Sequence, residues 1–223
     1  MSRTRYTPLT ASLLAAWLAI AVSVSALHLL DGAPGKPPLP ILLSVLIPLT
    51  IFFAWYRLSS EFRGYVLSLS PRVLTLLHSW RAIVGVVFIV LAANNVLPKL
   101  FALPAGWGDF AIGVTAPFVA YRLANPSHRR TFILWNLLGV TDLVVALSLA
   151  ALAPFLDPSE LAANGVSPAP MATLPLGLIP TFGVPLLLIQ HFISITQARH
   201  WSRQRDPNLP EEISSFPPRT ATN

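Results

Sequence analysis

Residues 73–93 form an apolar run long enough to cross a bilayer, and Arg81 sits near its middle. About 20 apolar residues in a helix span the hydrocarbon layer. A charge at that depth costs roughly 2.5–3.5 kcal/mol on insertion scales, so the guanidinium is expected to have a partner. Two carboxylates, Asp109 and Asp142, lie inside other apolar runs and can supply one. A fold that leaves the three apart would strand a charge in oil. The expectation is a polar-cored bundle in which Arg81 meets an acid from a neighbouring helix, Asp142 lying at its own depth and Asp109 nearer the outer surface.

The rest of the chain repeats the apolar pattern. Of its 223 residues, 54% are hydrophobic and only 11% charged, with a mean hydropathy of +0.63. A soluble domain carries about a quarter charged residues, so the composition belongs to the membrane class. Six spans are expected, at about Leu9–Leu30, Pro40–Tyr56, Val73–Ala93, Gly106–Tyr121, Thr131–Phe155 and Leu174–Gln197. The reading is an all-α integral membrane protein, a six-helix bundle with helices interrupted by proline and glycine. Residues 1–205 form a single transmembrane domain; residues 206–223, polar and rich in proline, form a disordered cytoplasmic tail.

Loop charge orients the bundle. Twelve arginines fall before the first span, in the second and fourth loops or after the last span, whereas the other loops carry only Lys36 and Lys99. The positive-inside rule places both termini in the cytoplasm of a cell with this protein in its inner (plasma) membrane. The same distribution accounts for the net charge of +6 and the pI near 10.5, which in a soluble protein would suggest a nucleic-acid partner. The expected surroundings are lipid, with a membrane-protein partner or a second copy as further possibilities, and no nucleic acid. Arg3, Arg5, an apolar run and Val24-Ser25-Ala26 also resemble a cleavable signal. Retention is the expectation, because Ala15, Ala19 and Ser23 recur every four residues, as on a helix-packing face.

Several chemistries are excluded. With no cysteine there is no disulfide framework, thiolate metal site or cysteine nucleophile. The chain has no phosphate-binding Walker loop, dinucleotide fingerprint, H-E-x-x-H helix or G-x-S-x-G elbow.

The remaining polar residues of the spans fall into two layers. Arg81 and Asp142 lie near the midpoints of their spans, and Asp109 lies at the outer start of the fourth. His78, Asn136 and His191 share a depth nearer the cytoplasm. His78 and Arg81 are three apart, Asn136, Gly139 and Asp142 step by threes, and Gln190, Ser194 and Gln197 form a stripe beside His191. One arginine against two aspartates leaves the interior net negative if both acids ionise. One is thus expected to keep its proton or to meet a cation, the condition for a relay. The alternative is a static ion pair that locks two helices. Asp109 also closes Pro104-Ala105-Gly106-Trp107-Gly108-Asp109, read as an irregular opening that the aspartate caps. Pro117, Pro48 and Pro185 free the carbonyls of Gly113, Ser44 and Thr181. Asn94 and Asn95 end the third span as a cap or a pore mouth. Asp157-Pro158-Ser159-Glu160 reads as the start of a short interfacial helix.

Together, Trp80-Arg81, Pro104–Asp109, Trp135-Asn136 through Asp142, and Pro185–His191 resemble a set of small bacterial multi-span membrane proteins without an assigned activity. The resemblance covers about residues 74–197. It implies a helical membrane fold and supplies no substrate, cofactor or catalytic residue. The expected function is small-solute or proton-linked transport or sensing along Arg81, Asp109, Asp142, Asn136, His78, His191 and Gln190, with no catalytic residue assigned. Two alternatives stand beside it: haem b held between His78 and His191 in a membrane redox protein, and a non-catalytic subunit or scaffold.

Overall fold

The computed structural model describes residues 2–32, 38–156 and 165–201; the side chains of residues 2–5 and 154 lie outside that description. Among the described residues the chain is helical, with no strand. The helices are α1 (Ser2–Ala26), α2 (Leu39–Leu58), α3 (Ser60–Leu67), α4 (Pro71–Leu76), α5 (Arg81–Ala93), α6 (Lys99–Phe118), α7 (Arg129–Leu156) and α8 (Val184–Trp201). Five segments are long and apolar enough to cross a membrane: Tyr6–Ala26, Leu39–Leu58, Pro71–Ala93, Pro126–Ala153 and Ile179–Trp201. The expected interfacial helix from Asp157 and the tail from Asp206 lie outside the described residues.

Local chemistry sets the boundaries. Ser59 caps α3 by accepting from the Phe62 amide, and Ser70 precedes Pro71 at the first position of α4. From α4 to α5 the chain turns through bonds between residues three apart, including Arg81 N–H to the His78 carbonyl and Ile83 N–H to that of Trp80. Residues three apart eclipse in such a turn, so His78 and Arg81 point the same way. The α5 helix ends at Asn94, with Asn95 in the left-handed region at φ 53°. Val96 N–H then bonds Leu91 and Asn95 N–H bonds Ala92, a Schellman closure. The asparagine pair is thus a helix stop.

The sixth helix differs from its expected form. It begins at Lys99 and runs unbroken through Pro104, Gly106, Gly108 and Asp109, then continues into a wider π turn at Val119–Leu123. The glycines serve packing rather than an irregular opening. A Cβ on Gly85 would stand 2.5 Å from the Gly106 carbonyl oxygen, and one on Gly106 would stand 2.9 Å from that of Gly85. Gly113 likewise meets the backbone of Ala82. The α5 and α6 backbones therefore cross almost in contact, as small residues permit. Phe101, Ala105, Asp109, Ile112 and Ala116 are buried at helical spacing along the inner face of α6.

The core is α5–α6–α7–α8, each packed on the next, with α2 against α8 and α1 outermost. Ile179–Trp201 is the central element: 61% of its most apolar window is buried, against 11% for α1. The packing face of α1 is also a correction. Ala15, Ala19 and Ser23 are exposed, whereas Ala21 and Ser25 are buried. The Trp17 indole donates to the Thr181 carbonyl at 3.1 Å. That carbonyl is the one Pro185 deprives of its helical donor, so the tryptophan satisfies it.

Candidate functional site

Three consecutive helices and a turn converge on Arg81. Its Nε donates to Asp109 Oδ1 of α6 at 2.6 Å, its Nη2 to Asp142 Oδ2 of α7, and its Nη1 to His191 Nε2 of α8 at 3.3 Å. Arg81 is 0% exposed, and the side chains of Asp109 and Asp142 are 9% and 15% exposed. Three of the guanidinium's five N–H groups thus meet acids on two sides and an imidazole on the third. With both acids ionised the cluster carries −1; with one protonated it is neutral.

Asp109 is placed differently from expectation. Because α6 starts at Lys99, this residue stands about 15 Å along the helix at 1.5 Å per residue, level with Arg81. It caps nothing, and its carboxylate is an ion-pair partner. Gly108 makes room for the other acid: a Cβ there would land on the Asp142 carboxylate.

The histidines extend the cluster toward the end of the bundle that holds Tyr6, Tyr56 and Phe62. His191 Nδ1 lies 2.9 Å from Asn136 Oδ1, and Asn136 Nδ2 donates to the Phe132 carbonyl. Because arginine can only donate, His191 Nε2 accepts and Nδ1 carries the proton to Asn136. This fixes the tautomer from the network. Gly139 leaves space for the ring, since a Cβ there would press into it. Asn136, Gly139 and Asp142 therefore do present one face of α7.

His78 stacks on His191 with centroids 4.1 Å apart and planes at 24°, and Trp135 meets both rings edgewise at 5.7 and 5.8 Å. Both His78 nitrogens are buried without a hydrogen-bond partner. A haem between the two histidines does not fit this arrangement. Bis-histidine ligation needs two ring nitrogens aimed at one iron from opposite sides of a macrocycle, and face-to-face rings at this distance leave no room for one. Arg81, the nearest cation that could meet a haem propionate, is engaged by the two acids. Among the described residues no cluster of three metal-ligating side chains occurs.

Gln190 and Ser194 are buried on α8, with Gln190 Oε1 and Ser194 Oγ lacking partners, and no bond joins either to Arg81. Gln197 instead donates to the Leu67 and Leu69 carbonyls and pins α8 to the turn before α4.

A cavity of about 900 Å³ reaches the cluster from the opposite end. Leu30, Asp31, Pro38 and the 165–173 segment line it together with Trp80, Arg81 and Asp109, and its walls are mainly apolar. Sequence reasoning missed this cavity, and it named Trp80, which lines it, and Trp135, which packs on the two histidines, only within the resemblance. The indole of Trp135 donates to Thr115 at 3.0 Å. The only signal for them was their position one residue from Arg81 and from Asn136.

Residues 37–199 match a family described as Domain of unknown function (DUF8737). The match contains the whole cluster and omits α1. No curated protein and no solved structure matches the chain.

Proposed function

We propose, of a chain that belongs to this family of unknown function, that it is a polytopic membrane protein which binds a small solute through a proton-holding cluster at Arg81. The carrying observation is the cavity whose lining includes Arg81 and Asp109. A static lock between helices needs no cavity. A solute site needs one, and this volume lies in the range of ligand pockets. Arg81 is the fixed counter-ion, Asp142 the proton-accepting partner and Asp109 the carboxylate facing the cavity. His191 and Asn136 hold the guanidinium in register from behind.

The bundle spans the inner membrane six times in this reading, with α6 as the span beyond the five apolar segments; its acid is paired on the inner face, while Trp107, Val114 and Phe118 face outward. Its polar and glycine content sets it apart from the five apolar segments, and neighbours on both sides make that tolerable. Both termini face the cytoplasm, so the cavity's end of the bundle faces outward. Transport or sensing follows according to whether the solute leaves on the other side.

Infrared difference spectroscopy of the protein between acid and alkaline pH tests the proton-holding role. A protonated-carboxyl band that disappears on alkalinisation is expected in the wild type. It is expected to be absent from Asp142→Asn, with a melting temperature close to wild type. A band unaffected by Asp142→Asn, or no band at all, sinks the role.

A further inference from the structure

We infer that the occupant of the cavity is an amphiphilic organic monocation, which binds beside Asp109 in exchange for the proton of the carboxylate cluster. This inference rests on the proton-holding reading of Asp142.

Charge decides the sign of the ligand. One guanidinium facing two carboxylates leaves −1 once the proton has gone, and no other described ion pair at the site offsets it. The charged and titratable groups facing the cluster are Arg81 from α5, His78 from the turn before it, Asp109 from α6, Asp142 from α7 and His191 from α8, with Asp31 elsewhere in the cavity lining. From α2 the cavity receives Ile41 and Leu42, which are uncharged. In a low-dielectric pocket the residual charge is expensive, and either a proton or a monocation removes it. An anion would raise the imbalance, because both acids already occupy the arginine.

The walls decide the rest of the ligand. Besides Asp109, side-chain oxygens in the lining come only from Asp31, Ser167 and Thr173, whereas Val84, Phe88, Phe101, Leu143 and Val184 are hydrocarbon and cannot replace the hydration shell of an alkali ion with their side chains. They suit a hydrocarbon body. Trp80, also in the wall, presents the ring type that attracts a desolvated cation most strongly. An organic cation with apolar substituents satisfies both features. Exchange follows, since only one neutralising charge is needed: the cation enters as the proton leaves Asp142 or Asp109 for solvent, and the reverse step restores the start.

The test uses full-length protein in a non-ionic detergent, titrated by equilibrium dialysis with tetraphenylphosphonium. Neutral triphenylphosphine oxide and anionic tetraphenylborate are the controls. Saturable phosphonium binding is expected, with both controls at least about tenfold weaker. Competition with one proton raises the dissociation constant about tenfold per unit of acidification over the range where the cluster protonates, and releases about one proton per cation into weak buffer. Asp142→Asn and Asp109→Asn each weaken binding at least about tenfold, and Trp80→Ala weakens it several-fold with Trp80→Phe recovering part. Proton release by the wild type reads the exchange even if a variant fails to fold.

Equal binding of the phosphine oxide, or tighter binding of tetraphenylborate, overturns the inference. Displacement of the phosphonium by millimolar sodium overturns it in favour of an alkali-ion site. An Asp142-dependent infrared band without phosphonium binding refutes the cation and leaves the proton-holding role intact. Absence of that band removes both.

Discussion

Arg81 shows how one residue can dictate a set of neighbours. Each of its three nitrogens meets a partner, Asp109, His191 or Asp142, from three helices. Removing the guanidinium leaves two carboxylates facing each other without compensation, and the loss for breaking a buried pair is about 3–5 kcal/mol. Arg81→Met is expected to lower stability by that order in a detergent thermal melt. Adding Asp109→Leu and Asp142→Leu replaces the whole set with apolar groups, and most of the loss should return. A triple variant no more stable than Arg81→Met contradicts the compensation argument. Much of this cluster was legible in the sequence, because an arginine inside an apolar run demands an acid and only two acids sit in such runs. The role of Asp109 was legible only in part. Its identity as a buried acid could be read, but its depth depended on where α6 begins, and Pro104 with two glycines reads locally as a helix boundary. The stacking of His78 on His191 depends on ring orientations that no spacing rule fixes.

At the scale of the helix, glycine has two meanings here that sequence alone does not separate. A Cβ added to Gly64 would meet nothing within 4 Å, whereas one on Gly85 would face the Gly106 carbonyl and the Phe110 amide, both at 2.5 Å. Backbone atoms of a neighbouring helix cannot swing aside as a side chain can. Gly85→Ala is therefore expected to cost about 1–3 kcal/mol by overpacking. Gly64→Ala is expected to be neutral or to stabilise α3 by up to about 1 kcal/mol, the ordinary helix preference. Chemical or thermal unfolding of the two variants side by side checks the contrast, and equal effects would refute the tight α5–α6 crossing. The same ambiguity explains why the α1 face was misread. Ala15, Ala19 and Ser23 have the spacing of a packing stripe, yet Trp17 binds the Thr181 carbonyl and turns Ala21 and Ser25 inward instead. A hydrogen bond to a carbonyl freed 164 residues away outweighs a stripe of methyl groups. No local window contains both partners.

The helical, apolar character of the whole molecule was more legible than its parts because hydropathy sums over many residues, so errors in single positions cancel. Large apolar side chains such as Ile20, Ile51, Ile83, Val114 and Leu134 remain exposed on α1, α2, α5, α6 and α7, as lipid contact requires. Arg57, Arg63, Arg72 and Arg122 gather with Tyr6 at one end, since α2 and α1 both pack on α3 and the Val119–Leu123 turn packs on α4. The cavity, by contrast, is a difference between large volumes, and small shifts of helices decide whether it exists. Its direction is nonetheless predictable from charge: its lining lies toward the end away from the arginines, and the proposed orientation turns that end away from the cytoplasm. The absence of native cysteine makes this directly measurable. Gly64 at the arginine end and Gly32 in the cavity lining are both exposed, and a Cβ meets nothing closer than 3.9 Å at either. In intact cells a membrane-impermeant maleimide is expected to label Gly32→Cys and to leave Gly64→Cys untouched until the membrane is opened. The reverse pattern would turn the bundle over, and the cavity would then draw its solute from the cytosol. Labelling at Gly32→Cys that falls when tetraphenylphosphonium is present would further tie the occupied cavity to the outer face, because the adduct and the cation share one cavity.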